Sequence, residues 1–201
     1  MGRYKLDHSS VHLIVGPSRC GKTSFIRKYL ENYESLTGFQ PRKIYYVCPF
    51  NPDIVDTEYL TEFPRDYADI KDSVFVVDDL VYHEPTLKIV AEFGIALSHH
   101  NNCHVILVSQ KLFVDSPQYR TVADNACYIT IFRLVRGLRA LTTLASDVMP
   151  TKAGAELFLE AYERATSEPF MYLHVNLCSH STFDRLLSGL LPEDKQLTYH
   201  P

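Results

Sequence analysis

The sequence predicts an α/β fold of three layers, in which a mostly parallel central sheet lies between helices. Apolar, β-branched runs alternate with segments whose apolar residues recur at helical spacing. Several of the runs are apolar without interruption, as in strands buried on both faces. The 201 residues, 46% of them hydrophobic, fit a single domain over residues 1–201 with flexible ends at about 1–9 and 192–201.

The first third of the chain predicts two strands around a helix. The run VHLIV at 11–15 predicts the first strand, and residues 22–34 carry apolar side chains at helical spacing. KIYYVCP at 43–49 predicts the second strand, which its proline ends. Residues 51–72 are polar and interrupted by proline, which favours a loop containing a short helix.

The remainder of the chain continues the alternation. SVFVVDDL at 73–80 predicts a third strand, and residues 84–102 predict a helix with Pro85 in its first turn. Strands four and five are predicted at 103–110 and 126–132. Two helices and a sixth strand are then predicted, at 139–149, 152–166 and 170–177.

Charge and cysteine content limit the classes of function. The net charge is −4, so contact with nucleic acid would depend on a local basic patch or on an oligomer. The five cysteines form no CxxC pair, which disfavours a disulfide framework or a zinc site. No apolar run reaches membrane-spanning length, and the first ten residues contain no signal-peptide core.

The stretch GPSRCGKT at 16–23 matches the phosphate-binding pattern G-x-x-x-x-G-K-[ST] between a predicted strand and a predicted helix. The glycines let successive N–H groups point at phosphate oxygens, and the following helix adds its positive dipole end. Lys22 is predicted to reach the β- and γ-phosphates, and the Thr23 hydroxyl to bind Mg²⁺. The residues predicted to contact ATP are Gly16, Pro17, Ser18, Arg19, Cys20, Gly21, Lys22, Thr23 and Ser24.

Polar residues at the ends of two later strands predict hydrolysis. The strand VFVV delivers Asp78 to its carboxyl end, where it would hold Mg²⁺ as a Walker B carboxylate does. Asp79 follows it and is predicted to orient the attacking water. Gln110 ends the fourth strand and is predicted to sense the γ-phosphate or position water, provided that this strand lies between the other two.

Four arginines stand between residues 119 and 139. An arginine from a neighbouring subunit can stabilise charge on a transferring phosphoryl group, and a group of arginines can hold nucleic-acid phosphates. Spacing does not distinguish these roles from ordinary surface charge. The four residues are Arg120, Arg133, Arg136 and Arg139.

Taken together, these segments resemble the viral genome-packaging ATPases of the FtsK–HerA superfamily, over nearly the whole chain. The resemblance is closest to the poxvirus-type branch, and within it to the ATPases of Polinton (Maverick) elements and adintovirus-like viruses. Besides VFVVDDL, the stretches that carry it are LSHHNNCHVILVSQKLF, YRTVADNACYITIFR and FLEAYERATSEPFMYLHVNL.

The resemblance implies a three-layer P-loop NTPase of the ASCE/RecA-like type that hydrolyses ATP with Mg²⁺. It implies a homo-oligomeric ring, a pentamer or hexamer, that pumps double-stranded DNA into a capsid through contacts with capsid or portal proteins and without a membrane. The protein would be virus-encoded, soluble in the nucleus or cytoplasm of the infected cell, and associated with the virion.

Individual positions follow from the same resemblance. The family's polar sensor falls on Gln110, its arginine before the fifth strand on Arg120, and the strand-end basic group on Arg133. Asn125 matches the family's asparagine. Relatives often have an Asn-Pro-Arg-Asp-like turn after the fifth strand; this chain reads LVRGLR, which keeps Arg136 alone and weakens the case for a function of that turn.

Two other classes of function stay open. A P-loop nucleoside or nucleotide kinase fits the chain length, with Arg133, Arg136 and Arg139 as an arginine lid, although paired aspartates favour water as the acceptor. A nucleotide-gated assembly protein would bind ATP without rapid turnover. A GTPase is disfavoured because the sequence contains no N-K-x-D motif.

Overall fold

The structure is a computed structural model that describes residues 4–64, 66–80, 83–179 and 185–200, without the side chains of residues 67, 93–97 and 99. Within these residues, nine strands form one sheet in the order β3-β2-β4-β5-β1-β6-β7-β8-β9. The strands are β1 Val11–Val15, β2 Lys43–Val47, β3 Glu58–Leu60, β4 Ser73–Asp78, β5 His104–Ser109, β6 Tyr128–Phe132, β7 Tyr172–Asn176, β8 Leu186–Ser188 and β9 Leu197–Thr198.

The first six strands in this order, from β3 to β6, are parallel, and the pairs from β6 to β9 are antiparallel. The predicted α/β fold with a mostly parallel sheet is therefore confirmed. β1 lies between β5 and β6, and β5 lies between β1 and β4. The carboxyl ends of β4, β5 and β1 consequently meet at one edge of the sheet.

Helices cover both faces of the sheet. Alternate residues of β1 point to opposite sides, so that Leu13 packs in one hydrophobic cluster and Ile14 in the other. Helices α1 and α2 contribute to the cluster around Ile14, and helices α3 to α6 to the cluster around Leu13. The helices are α1 Lys22–Glu31, α2 Tyr33–Thr37, α3 Glu84–His100, α4 Pro117–Asp124, α5 Leu138–Val148 and α6 Lys152–Ala165.

The structure differs from the sequence-based expectation in several short elements. The helix predicted over 22–34 divides at Asn32, and α2 follows it. The segment 51–72 contains β3 beside the expected short helix, a 3₁₀ turn at Tyr67–Asp69. Helix α4 was not predicted, although Ser116 caps it by accepting a hydrogen bond from the Tyr119 N–H, and Pro117 follows as its first residue.

The two ends expected to be flexible both hydrogen-bond to the rest of the domain where the structure describes them, although both residues of β9 are exposed. Leu6 is buried, and its N–H donates to the Leu36 carbonyl. Near the other end, β9 pairs with β8, and the Tyr199 N–H donates to the Leu186 carbonyl. No helix within the described residues is long and apolar enough to cross a membrane.

Three fully buried histidines lie under α1 and α2, at the amino-terminal half of the sheet. His12 and His174 both hydrogen-bond the Thr130 hydroxyl, at 2.8 and 3.1 Å, and His104 hydrogen-bonds the Tyr33 hydroxyl at 2.9 Å. Burial lowers the pKa of His104 and of His174 to about 3. Burial, with the two neighbouring imidazoles, also lowers the pKa of His12 well below its ordinary value. All three rings are therefore neutral in the folded protein.

These histidines predict that acid destabilises the fold. Their pKa is about 6.5 in the unfolded chain, so unfolding takes up protons below that pH. The free energy of unfolding should fall by about 1.4 kcal/mol per pH unit for each of His104 and His174 as the pH drops from 6.5 toward about 4, and His12 acts in the same direction. Urea titrations between pH 7.5 and 4.5 measure this slope.

A variant isolates the contribution of one ring. His174→Leu should reduce the slope by about 1.4 kcal/mol per pH unit, because the imidazole that takes up the proton on unfolding is then absent. Equal slopes in the His174→Leu variant and the unaltered protein would contradict the assignment.

Candidate active site

The loop between β1 and α1 is held in shape by two glycines. A Cβ on Gly16 would lie 2.6 Å from Cys20 Sγ and 2.8 Å from Phe132 Cβ, so a larger residue does not fit without displacing its neighbours. Gly21 precedes α1 with φ 103°, in the left-handed region that glycine favours. Between them Arg19 also has a positive φ of 65°. The chain thereby curls over the amino terminus of α1, as a phosphate-binding loop requires.

Lys22 folds back over this loop. Its Nζ donates to the carbonyl oxygens of Gly16 at 2.8 Å and Pro17 at 3.0 Å. An ammonium group has three donors, so one N–H remains for a phosphate oxygen without breaking either bond. Thr23 and Ser24 lie in the first turn of α1 and are exposed.

Asp78 ends β4 as a mostly buried carboxylate. Its Oδ2 accepts a hydrogen bond at 2.7 Å from the hydroxyl of Tyr46, a residue of the adjacent strand β2. Burial raises the pKa of Asp78, and the nearby charge of Asp79 acts in the same direction. The Tyr46 hydrogen bond and the charge of Lys22 lower the pKa of Asp78 and so favour the ionised form.

Asp79 and Gln110 meet at the ends of β4 and β5. Asp79 has φ 56°, a left-handed conformation that aspartate tolerates better than most residues. Gln110 Nε2 donates to Asp79 Oδ1 across 3.5 Å, and both side chains are exposed. The predicted fourth strand is β5 of the structure. It lies between β1, which precedes the phosphate loop, and β4, which ends at Asp78, as the prediction for Gln110 requires.

The donors present fit a magnesium ion held jointly with a nucleotide. Thr23 offers a hydroxyl oxygen, and Asp78 keeps Oδ1 beside the Oδ2 that Tyr46 engages. Mg²⁺ favours such oxygen ligands, with phosphate oxygens and water completing the octahedron. Within the described residues, no group of three or more histidine, cysteine, aspartate or glutamate side chains could hold a metal ion. A cation here would depend on the phosphates.

Two of the predicted arginines lie beside the phosphate loop, since Arg133 and Arg136 each line a pocket with Pro17 and Ser18. Arg133, after β6, donates from Nη1 to Glu163 Oε2 at 2.6 Å and to the Thr166 hydroxyl at 3.4 Å. Arg120, on α4, and Arg136, before α5, are exposed and form no ion pair with any residue that the structure describes. The chain brings Lys22 near the Asp78 carboxylate, whereas the side chains of Arg120 and Arg136 are exposed.

Two residues of this region were not singled out from the sequence. Tyr46 reads as a core residue of an apolar strand, and only the neighbouring position of β2 and β4 places it on Asp78. Phe170 is 68% exposed, has φ 68° and lies against Gly21. The sequence SEPF at 167–170 could have drawn attention to Phe170, because it places an aromatic residue next to polar residues and a proline.

The fold of the chain resembles that of proteins of known structure. No protein-family model and no curated protein sequence matches it. The genome-packaging NTPase B204 of Sulfolobus turreted icosahedral virus 2, in complex with AMP, aligns with a TM-score of 0.60 and 11% identity over 98% of this chain and 99% of that chain. The same protein in complex with ATP-gammaS aligns with a TM-score of 0.59 and 14% identity, over the same shares.

The DNA-packaging ATPase B204 of Sulfolobus turreted icosahedral virus aligns with a TM-score of 0.54 and 15% identity, again over 98% and 99% of the two chains. At such identities the likeness concerns the fold. The resemblance to a poxvirus or Polinton branch stays a prediction. Along nearly its whole length, the chain has the fold of viral genome-packaging NTPases.

Proposed function

We propose that this protein is an ATPase that works as an oligomeric ring to move double-stranded DNA into a viral capsid. The observation that carries the proposal is the meeting of the phosphate loop with Asp78, Asp79 and Gln110 at one edge of the sheet. The shared fold with packaging NTPases, one of them solved with ATP-gammaS, supports the same conclusion.

The described side chains divide the work of hydrolysis. Lys22 and the loop amides hold the triphosphate, and Thr23 and Asp78 would hold Mg²⁺, which neutralises phosphate charge when bound. Asp79 accepts a hydrogen bond from the attacking water and draws it into line. Gln110 Nε2 lies 3.5 Å from Asp79 Oδ1, so its amide group can donate to a water or phosphate oxygen beside that carboxylate.

A neighbouring subunit would complete the site. Within one chain Arg133 and Arg136 each line a pocket with Pro17 and Ser18 of the phosphate loop, while Arg120 and Arg136 are exposed and form no ion pair among the described residues. Either guanidinium would stabilise transferring phosphoryl charge when presented by the next subunit of a ring. The Arg133–Glu163 pair is half-exposed and contributes little stability, so Arg133 could exchange partners at small cost.

Asp79→Asn separates binding from hydrolysis. The variant should retain affinity for ATP, measured by isothermal titration calorimetry, while phosphate release falls about a hundredfold or more. Lys22→Ala should instead weaken ATP binding itself.

The matched controls are Asp147→Asn and Lys88→Ala, exposed on α5 and α3, which should change neither quantity. Unchanged hydrolysis in Asp79→Asn would remove Asp79 from the mechanism. Transfer of phosphate to a nucleoside by the unaltered protein would favour a kinase instead.

Tyr46→Phe tests the hydrogen bond to Asp78. Because the bond lowers the pKa of Asp78, its loss raises that pKa, and the acid limb of the hydrolysis profile should move to higher pH. The ratio of activity at low pH to activity at pH 8 should fall several-fold. Tyr45→Phe, whose ring stacks on Phe75 within the other hydrophobic cluster, is the control. A uniform loss of activity at every pH would indicate a packing defect.

Electron microscopy tests the assembly. With double-stranded DNA and ATP-gammaS, the protein should form closed rings of five or six subunits around the duplex, because the arginines would then meet the phosphate loops of their neighbours. ATPase activity should rise with ring formation. Of the variants Arg120→Ala and Arg136→Ala, the one that removes the arginine acting in trans should lower that activity about a hundredfold or more. Monomers that hydrolyse ATP at full rate, with or without DNA, would contradict the ring.

A further inference from the structure

A groove of about 710 Å³ opens beside the phosphate loop, on the side away from Asp78. One wall is the loop itself, at Pro17–Cys20, and the other is the turn between α6 and β7, at Thr166–Met171. Its floor includes Arg133, at the end of β6. The volume lies within the range of small-ligand sites.

The order of the strands decides which end of a nucleotide faces this groove. Asp78 and Gln110 end β4 and β5, which lie on one side of β1, whereas β6 and β7 lie on the other. A triphosphate stretched along the loop with its terminal phosphate toward Asp78 must therefore direct its nucleoside toward β6 and β7. That direction leads into the groove.

Phe170 is the side chain of the groove best suited to a flat aromatic ligand. It is 68% exposed, although burial would favour so large an apolar ring. Its Cδ1 lies only 2.9 Å from where a Cβ of Gly21 would stand, so the ring abuts the last glycine of the phosphate loop. Its backbone is held at φ 68°, a conformation that costs a phenylalanine free energy and that is concentrated at functional sites.

Three polar side chains that line the groove already bond within the chain. Arg133 binds Glu163, the Thr166 hydroxyl donates to the Tyr162 carbonyl at 2.8 Å, and the Ser167 hydroxyl donates to the Arg164 carbonyl at 3.0 Å. Recognition of a base edge by these groups would compete with those bonds, which leaves Ser18, Arg19 and Glu168 as the other polar side chains of the lining. Recognition by its face requires only the exposed ring of Phe170.

We infer that Phe170 is the stacking platform for the nucleobase, and that the site accepts ATP and GTP with similar affinity. Every base has a π face, so stacking distinguishes purines poorly from one another and prefers them to the smaller pyrimidines. This inference rests on the proposed function only in requiring that the phosphate loop bind a nucleotide.

Binding of tripolyphosphate, which has no base, separates the two parts of the site. Isothermal titration calorimetry of Phe170→Ala should show ATP and GTP affinities reduced about tenfold, with tripolyphosphate affinity within a factor of about two of the unaltered protein. Phe170→Trp should restore or strengthen nucleotide binding. Phe50→Ala, an exposed aromatic that does not line the groove, is the matched control and should change none of these affinities.

Each contrary result has a distinct meaning. If Phe170→Ala weakens tripolyphosphate as much as ATP, the ring acts on the phosphate loop through Gly21 and the inference fails. It also fails if Phe170→Ala leaves ATP affinity unchanged, or if the unaltered protein prefers ATP to GTP more than about tenfold. If the unaltered protein binds none of these ligands, the proposed function itself fails.

Discussion

The close approach of the phosphate loop to β6 is the constraint on which the site depends. Because Gly16 has no Cβ, the loop turns directly against Phe132, and its carbonyls come within reach of Lys22. A wider turn would separate the Lys22 ammonium from those carbonyls. It would also move the loop away from the ends of β4 and β5. The absence of a Cβ on Gly16 therefore allows the tight turn that brings Lys22 to the loop carbonyls at the amino terminus of α1.

Local patterns predicted most of the central sheet, since β4 and β5 contain continuous apolar runs, β1 and β6 are each interrupted by one polar residue, and the phosphate loop is a contiguous motif. The carboxylates and Gln110 were predicted because each directly follows its strand. The contact between Tyr46 and Asp78 was not predicted. It depends on β2 lying beside β4, and the order of strands in a sheet is set by contacts between residues distant in sequence. The short strands β8 and β9 owe their pairing to neighbours far away in sequence, so their own residues carry little signal.

The arginines differ in whether they have an acidic partner within the chain. Arg133 has an acidic partner in its own protomer, whereas Arg120 and Arg136 have none among the described residues. Sequence spacing treats the three alike, and only the fold separates them. The structure of one chain does not identify the partner of an exposed guanidinium such as that of Arg120 or Arg136, because in the proposed ring that partner would belong to another copy of the chain.

The turn at Thr166–Met171 has a consequence for biosynthesis. It lies about 150 residues after the phosphate loop, yet the two face each other across one groove. During translation the loop emerges long before the strand β7 that fixes the turn. A nucleotide seated as proposed would therefore gain its full set of contacts only when the last third of the chain has folded. Ligand binding would stabilise the finished domain rather than guide its early folding on the ribosome.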